Sequence, residues 1–256
     1  MKLKHPVLPT LLIFLILLLS IGSVTADPLP LGKDLMDTVV IAYEEGNPEA
    51  GAYVYAYRYP HIPESEPDAP RVNVFYDYLV SDTLAFSLPM DSEYYQEIGL
   101  PVTKEVGYTV TCNNDDYFAV LIETRETLEG ETHSTWTGHA FSRKTGSPGS
   151  TITLPQLLNI LATDENDTWL QDRQTLKADQ LLRAMVWEQI EENSDGIAYY
   201  PELTEEDLEG LFFPEEDFYL DESGNPVFYL EPGSAAPEEY GLLTFPVSLE
   251  EIRDEM

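Results

Sequence analysis

The sequence predicts an α+β fold, with antiparallel β-sheets and helices packed against them. Period-two apolar runs joined by tight turns point to hairpins, and other runs repeat their apolar residues at helical spacing. A hydrophobic content of 43% with 11% aromatic residues in 256 residues is ample for a buried core.

The N-terminus stands apart from that core. Lys2 and Lys4 precede the apolar run "LLIFLILLLSIG", and "SVTADP" places Val24 and Ala26 before a cleavage point. Residues 1–26 are therefore expected to be a signal peptide, and the protein to be secreted or held at the cell surface. The run is shorter than the ~20 residues that span a bilayer comfortably, so membrane attachment is expected only if the segment stays uncleaved. Residues 27–36, "DPLPLGKD" and its flanks, read as a linker.

"DTVVIAYEE" reads as a strand ended by the turn "GNPEAG". In "AYVYAYRYP", Tyr53, Tyr55, Tyr57 and Tyr59 alternate with Ala52, Val54, Ala56 and Arg58, a strand with one aromatic face. Such a face packs under a helix, or it grips a sugar or a partner protein. After the acidic, Pro-rich "HIPESEPDAP", residues Val72, Phe75, Tyr76, Leu79 and Thr83 predict a helix from Arg71 to Ser87. "PMDSEYYQEIGLP" reads as a short helix or irregular turn.

From Val106 the chain returns to strands. "VGYTVTCN" and "YFAVLIETRET" flank "NDD", a hairpin signal, and "THSTWTGHAFS" extends them into an antiparallel meander. "TGSPGS" is turn chemistry, and "TITLPQLLNIL" begins a helix. Beyond the polar break Asp164–Asp167, a helix is expected from Thr168 to Asn193, with Leu182, Val186 and Ile190 stepping by four and Ala178 and Met185 widening the stripe. A short helix follows at Thr204–Gly210, capped by Thr204. "FYLDESGNPVFYLEP" reads as a hairpin, "YGLLTFPVS" as a last strand and "LEEIRDEM" as a helical turn.

Charge narrows the function classes. Forty-seven Asp and Glu against thirteen Lys and Arg give −34, and cleavage would remove Lys2 and Lys4 without removing any acid. Such a field repels nucleic acid and anionic lipid, and attracts cationic proteins, peptides and divalent metal ions. It also serves simply to keep an exported protein soluble. Cys112 is the only cysteine, so no intrachain disulfide forms and packing must carry the stability.

No catalytic or cofactor pattern emerges, and neither a cofactor nor a resident metal is expected. "KTGSPGST" lacks the Gly-Lys-Ser/Thr ending of a phosphate loop, and Pro148 removes a backbone donor. His133 and His139 fall on one face of a strand but ~20 Å apart, too far to share an ion. His61 has no evident partner. No Gly-x-Ser-x-Gly elbow exists, and Cys112 within a strand reads as a buried, inert thiol. Carboxylate pairs are so numerous that none stands out as a tuned acid. "DENDTWLQD" and "DESGN" miss the EF-hand spacing, and Asn166 heads a glycosylation sequon.

"YTVTCNNDDYFAVLIETRE" resembles the paired strands of an extracytoplasmic domain shared by the anti-sigma factor RsiV and the N-terminal region of the deacetylase PdaC. In "WTGHAFSRKTGSPGSTITLPQLL", Gly138, His139 and Ala140 stand near that family's Gly-Gly-Ala-His signature. Thr145 and Gly146 match its turn, and Leu154 and Leu157 its helix start. Towards the end, Tyr240, Gly241, Pro246 and Leu249 fall at matching places, and the resemblance covers residues 37–253. It implies a two-lobed module, divided into an N-terminal part at 37–104 and a C-terminal part at 105–256. It also implies non-catalytic binding outside the membrane; in RsiV the region binds lysozyme. The signature here reads Thr-Gly-His-Ala, a partial loss of its glycine geometry. Too few residues precede the apolar segment for a sigma-binding domain and no deacetylase domain follows, so neither activity is expected.

The expected function is thus a secreted or surface bacterial protein that binds lysozyme, another cationic protein or cell-wall glycan. Tyr53, Tyr55, Tyr57, Tyr59, Tyr199, Tyr200 and His139 are the candidate contact residues. Glu205, Glu206, Glu215 and Glu216 would steer the encounter. The rival from another class is a cell-wall hydrolase using His139 with a carboxylate pair, and a third reading is a structural envelope protein without a specific partner.

Overall fold

A computed structural model describes residues 28–47, 50–144, 146–160, 168–193 and 195–256. The signal-peptide reading, the polar break at 164–167, the sequon at Asn166 and the matched Thr145 lie outside the described residues.

Among the described residues, eight strands form two sheets. The larger has the order β1 (Leu35–Ala42), β2 (Ala52–Tyr59), β3 (Val102–Asn113), β4 (Tyr117–Leu128) and β5 (Glu131–Ser142). The smaller contains β6 (Phe218–Leu220), β7 (Pro226–Leu230) and β8 (Leu243–Pro246). The α+β expectation holds, and β3–β4–β5 is the antiparallel meander. Its first turn is built by Asn114, whose Oδ1 accepts from the Asp116 and Tyr117 amides. At the second, Glu129 and Gly130 both have positive φ, the conformation a two-residue hairpin loop needs.

One pairing departs from the antiparallel expectation, because β2 and β3 run parallel. Parallel neighbours need a long crossover, and the helical segment between them supplies it. The expected boundary between the N-terminal and C-terminal parts stands at 104/105. That boundary falls inside β3, which is paired on both sides. The presumed linker is also fixed in place: the Leu29 backbone exchanges two hydrogen bonds with the Asn113 side chain, and the Gly32 amide donates to the His61 carbonyl at 2.7 Å.

The crossover is one helix interrupted by a π turn. α1 (Ala69–Asp82) runs into a π turn at Thr83–Ser87 and on into α2 (Leu88–Ile98), ending at left-handed Gly99. The helix thus passes through Ser87, where the sequence suggested an end. Pro89 explains the π turn. A proline inside a helix has no amide to donate, and its ring crowds the carbonyl four residues back. Widening the preceding turn relieves this, and the Leu88 amide donates five residues back, to Thr83.

The large sheet feeds two cores because neighbouring residues point to opposite faces. Phe118, Val120 and Phe141 face α1 and α2, together with Val72, Tyr76, Val80 and Leu88. Ala119 and Ala140, between them in sequence, face the smaller sheet and α4 (Thr168–Glu192). Ala178, Leu182, Val186 and Ile190 form the buried stripe of α4, as their spacing predicts. A bulge between Val110 and Cys112 turns Cys112 from the first face to the second, beside Ala119. The second core is closed by α3 (Leu154–Leu158), the short helix α5 (Leu208–Leu211) and the terminal α6 (Leu249–Glu255).

At Gly138 the two sheets come into close backbone contact. A Cβ on it would lie 1.8 Å from the Phe218 carbonyl oxygen and 2.8 Å from its carbon. These are backbone atoms of β6, which no rotamer change can move away. Gly107, in the same sheet, has nothing within 4 Å of such a Cβ. Gly138→Ala is therefore expected to destabilise the protein by at least about 3 kcal/mol, whereas Gly107→Ala stays within about 1 kcal/mol. Urea unfolding midpoints of the two variants, compared at equal m-value, check this.

Candidate functional site

The tyrosine strand is core. Tyr53, Tyr55, Tyr57 and Tyr59 are 0 to 8% exposed and lie beneath the crossover helix. Of the two roles open to that face, packing is the one realised, so these four cannot be surface contacts. Each tyrosine buries a large ring, and some hydroxyls find partners at the edge of the layer. Tyr53 donates to Asp91 at 3.3 Å, and Lys104 also reaches Asp91 at 3.4 Å. Tyr59 stacks on Tyr76 with ring centroids 5.2 Å apart. Burial raises the pKa of all four hydroxyls, so they are neutral groups.

His139 lies at the far end of the same layer. Its Nδ1 is 3.3 Å from the Tyr76 hydroxyl, and its ring meets that of Phe75 edge-on at 4.9 Å. Desolvation in this aromatic surround pushes the imidazole down to about 4, so it is neutral at physiological pH. It fills the space between β5 and α1 as an aromatic ring with one polar contact. His133, on the same face of β5, is exposed and 3.6 Å from Glu238. His61 lies 3.9 Å from Glu64. Cys112 is buried and its thiol is pushed up to about 11 by desolvation, the inert thiol that its place in a strand predicts. Asp221 of "DESGN" turns its carboxylate onto the Ser223 and Asn225 amides, a turn-forming role. Among the described residues no group of three or more His, Cys, Asp or Glu is arranged to hold a metal ion.

Tyr199 and Tyr200 are half-buried. The Tyr200 amide donates to Ala235 and its hydroxyl to Gly233 at 3.4 Å, which ties that loop to the segment after β7. Tyr199 packs on the second core and borders a cleft also lined by Gln189, Glu192, Asp195 and Glu251. Glu205, Glu206, Glu215 and Glu216 are exposed, as steering residues must be. Glu205 and Glu206 line a hollow with Glu209 and Arg183.

The most apolar exposed surface is one for which the sequence offered no candidate. Twelve large apolar side chains stand exposed among the described residues, and six of them are on the crossover helix: Val74, Tyr78, Phe86, Met90, Tyr94 and Ile98. They recur in steps of four, with Asp82 occupying the one position between Tyr78 and Phe86. That spacing was visible, but it was masked by the equally helical series that faces the core.

No protein-family model matches the chain, and no curated protein matches it. Among solved structures it is similar to a DUF3298 family protein from Pseudomonas aeruginosa PAO1, at 12% identity and a TM-score of 0.46, over 88% of this chain and 93% of that one. It is also similar to a member of the DUF3298 family from Bacteroides fragilis NCTC 9343, at 14% identity and a TM-score of 0.44, over 88% of this chain and 98% of that one.

The enclosure of His139 predicts a pH dependence. Its folded-state value near 4 lies below the ordinary 6.5. As pH falls from about 6.5 towards 4, the unfolded chain binds a proton that the folded chain refuses, so His139 makes the fold less stable in that window. The loss amounts to about 3 kcal/mol and is absent above pH about 6.5. His139→Gln should remove it. Chemical denaturation of both proteins at pH 7 and pH 4.5 should show the wild type losing more stability than the variant, and parallel pH profiles would refute the assignment.

Proposed function

We propose that the chain is a non-catalytic, extracytoplasmic binding protein whose partner is cationic. The observation that carries this reading is the charge: −34 over 256 residues, with carboxylates crowded on exposed helices and loops and few cations among them. A surface of this kind accelerates encounter with a basic protein and discourages nucleic acid and anionic membranes. The resemblance to the lysozyme-binding region of RsiV names lysozyme as the first cationic protein to test. The signal-like N-terminus supports a location outside the cytoplasm, where such a partner is met. Among the described residues no helix is long and apolar enough to cross a membrane.

The position of His139 also supports binding over hydrolysis. A hydrolase would need this imidazole to exchange protons beside a carboxylate in an open cleft, whereas its neighbours are Phe75 and Tyr76. Contact residues are therefore sought among the exposed groups rather than on the β2 tyrosines.

Calorimetric titration of the protein with lysozyme tests the reading. Binding is expected at low ionic strength, weakening at least about tenfold when salt is raised until the Debye length approaches ~10 Å. Absence of binding at low salt, where attraction is strongest, would exclude lysozyme as the partner.

A further inference from the structure

The outer face of the crossover helix combines two properties that seldom occur together on a free surface. Val74, Tyr78, Phe86, Met90 and Tyr94 are 58 to 71% exposed, and Ile98 is 47% exposed. These residues form a regular series along one helix, interrupted only at Asp82, which isolated surface hydrophobics do not. The carboxylates of Asp77, Glu93 and Glu97 stand exposed among them, with Asp82 half-exposed in the middle. The only cationic residue of the helix is Arg71, at its first turn, where it binds the Ser150 hydroxyl.

The backbone holds the middle of this series together. In an uninterrupted α-helix each step of four residues rotates the position by about 40°, so six steps from Val74 to Ile98 would turn it by about 240°. The π turn at Thr83–Ser87 inserts one extra residue into the winding and takes back about 100°. Tyr78 before the π turn, Phe86 within it and Met90 after it are thereby held on nearly the same side. The requirement that Pro89 imposes on the backbone thus also aligns an apolar ridge.

Charge decides what can cover this face. A second copy of the chain would bring another −34 against it and set carboxylate against carboxylate. An anionic lipid surface meets the same repulsion. A protein surface that presents Lys or Arg around an apolar strip or helix satisfies both properties, its cations pairing with Asp77, Asp82, Glu93 and Glu97 while its apolar strip covers the ridge. We infer that the solvent face of the α1–π–α2 helix is the docking surface for a basic, amphipathic partner protein. This rests on the cationic-partner reading above and adds the place and the apolar requirement.

Two labelled peptides of equal positive charge probe the inference, one an amphipathic Leu/Lys helix and the other a Ser/Lys peptide without an apolar face. Fluorescence anisotropy is measured at low salt with the wild-type protein and with a Tyr78→Ser/Phe86→Ser/Met90→Ser variant. These side chains are exposed, so the variant's circular dichroism and unfolding midpoint should match wild type. The wild type is expected to bind the Leu/Lys peptide at least about tenfold more tightly than the Ser/Lys peptide, and the variant to lose that difference. Equal binding of the Leu/Lys peptide by variant and wild type would overturn the docking surface and leave the cationic-partner reading standing. Failure of the wild type to bind either peptide would overturn both. Self-association of the wild type in sedimentation velocity, abolished in the variant, would assign the face to a second copy and overturn the proposal.

Discussion

Strands β4 and β5 each serve two hydrophobic cores at once, and the rest of the molecule is arranged around that double duty. Along β4, Phe118 and Val120 point to the crossover helix while Ala119 points to the smaller sheet. Along β5, His139 and Phe141 take the first side and Gly138 and Ala140 the second. Large residues on one face and small ones on the other reflect different packing distances. A helix rests on large side chains, whereas β6 approaches until its backbone meets the α-carbon of Gly138. Interdigitation of this kind leaves little tolerance for added volume. The Trp136–Leu158 run contains the end of a strand whose small-residue face packs against β6, followed by a turn and by the start of α3.

The aromatic layer on the first face follows from the same division. Four tyrosines on β2, with Tyr76, Phe75, Phe118, His139 and Phe141, fill a continuous slab under the helix. Tyrosine suits the margin of such a layer because its hydroxyl can reach a carboxylate at the rim while its ring stays buried. Tyr95 donating to Glu126 at 2.7 Å and Tyr108 to Asp34 at 2.7 Å are examples. Both hydroxyls are pushed up to about 12, in Tyr95 chiefly by its carboxylate partner and in Tyr108 chiefly by burial. Rim carboxylates thus have structural work as well as a share in the field of the whole molecule.

Acidity and the helix ridge together account for the functional reading. With a large negative charge, copies of the chain repel one another at long range, which disfavours their association through exposed apolar side chains. The two properties also constrain a partner differently. The field attracts anything basic, whereas the ridge rewards only a surface with apolar groups between its charges. Specificity would come from that second requirement.

Local chemistry was legible in the sequence wherever one segment decides its own structure. The meander from Val106 to Ser142, the α4 stripe of Leu182, Val186 and Ile190, the Thr204 cap and the Asp221 turn depend on periodicity and short-range hydrogen bonds, which the order of residues specifies. The acidic charge and the single buried thiol belong in the same class. Tertiary structure alone decided the parallel pairing of β2 with β3, the burial of Tyr53 to Tyr59, the enclosure of His139 and the exposure of Val74 to Ile98. Alternation along β2 defines two faces but does not say which one a helix will cover, and the crossover helix carries apolar residues on more than one side. Which surfaces become core depends on elements distant in sequence meeting one another, because burial is a property of the assembled layers and not of a segment's own pattern.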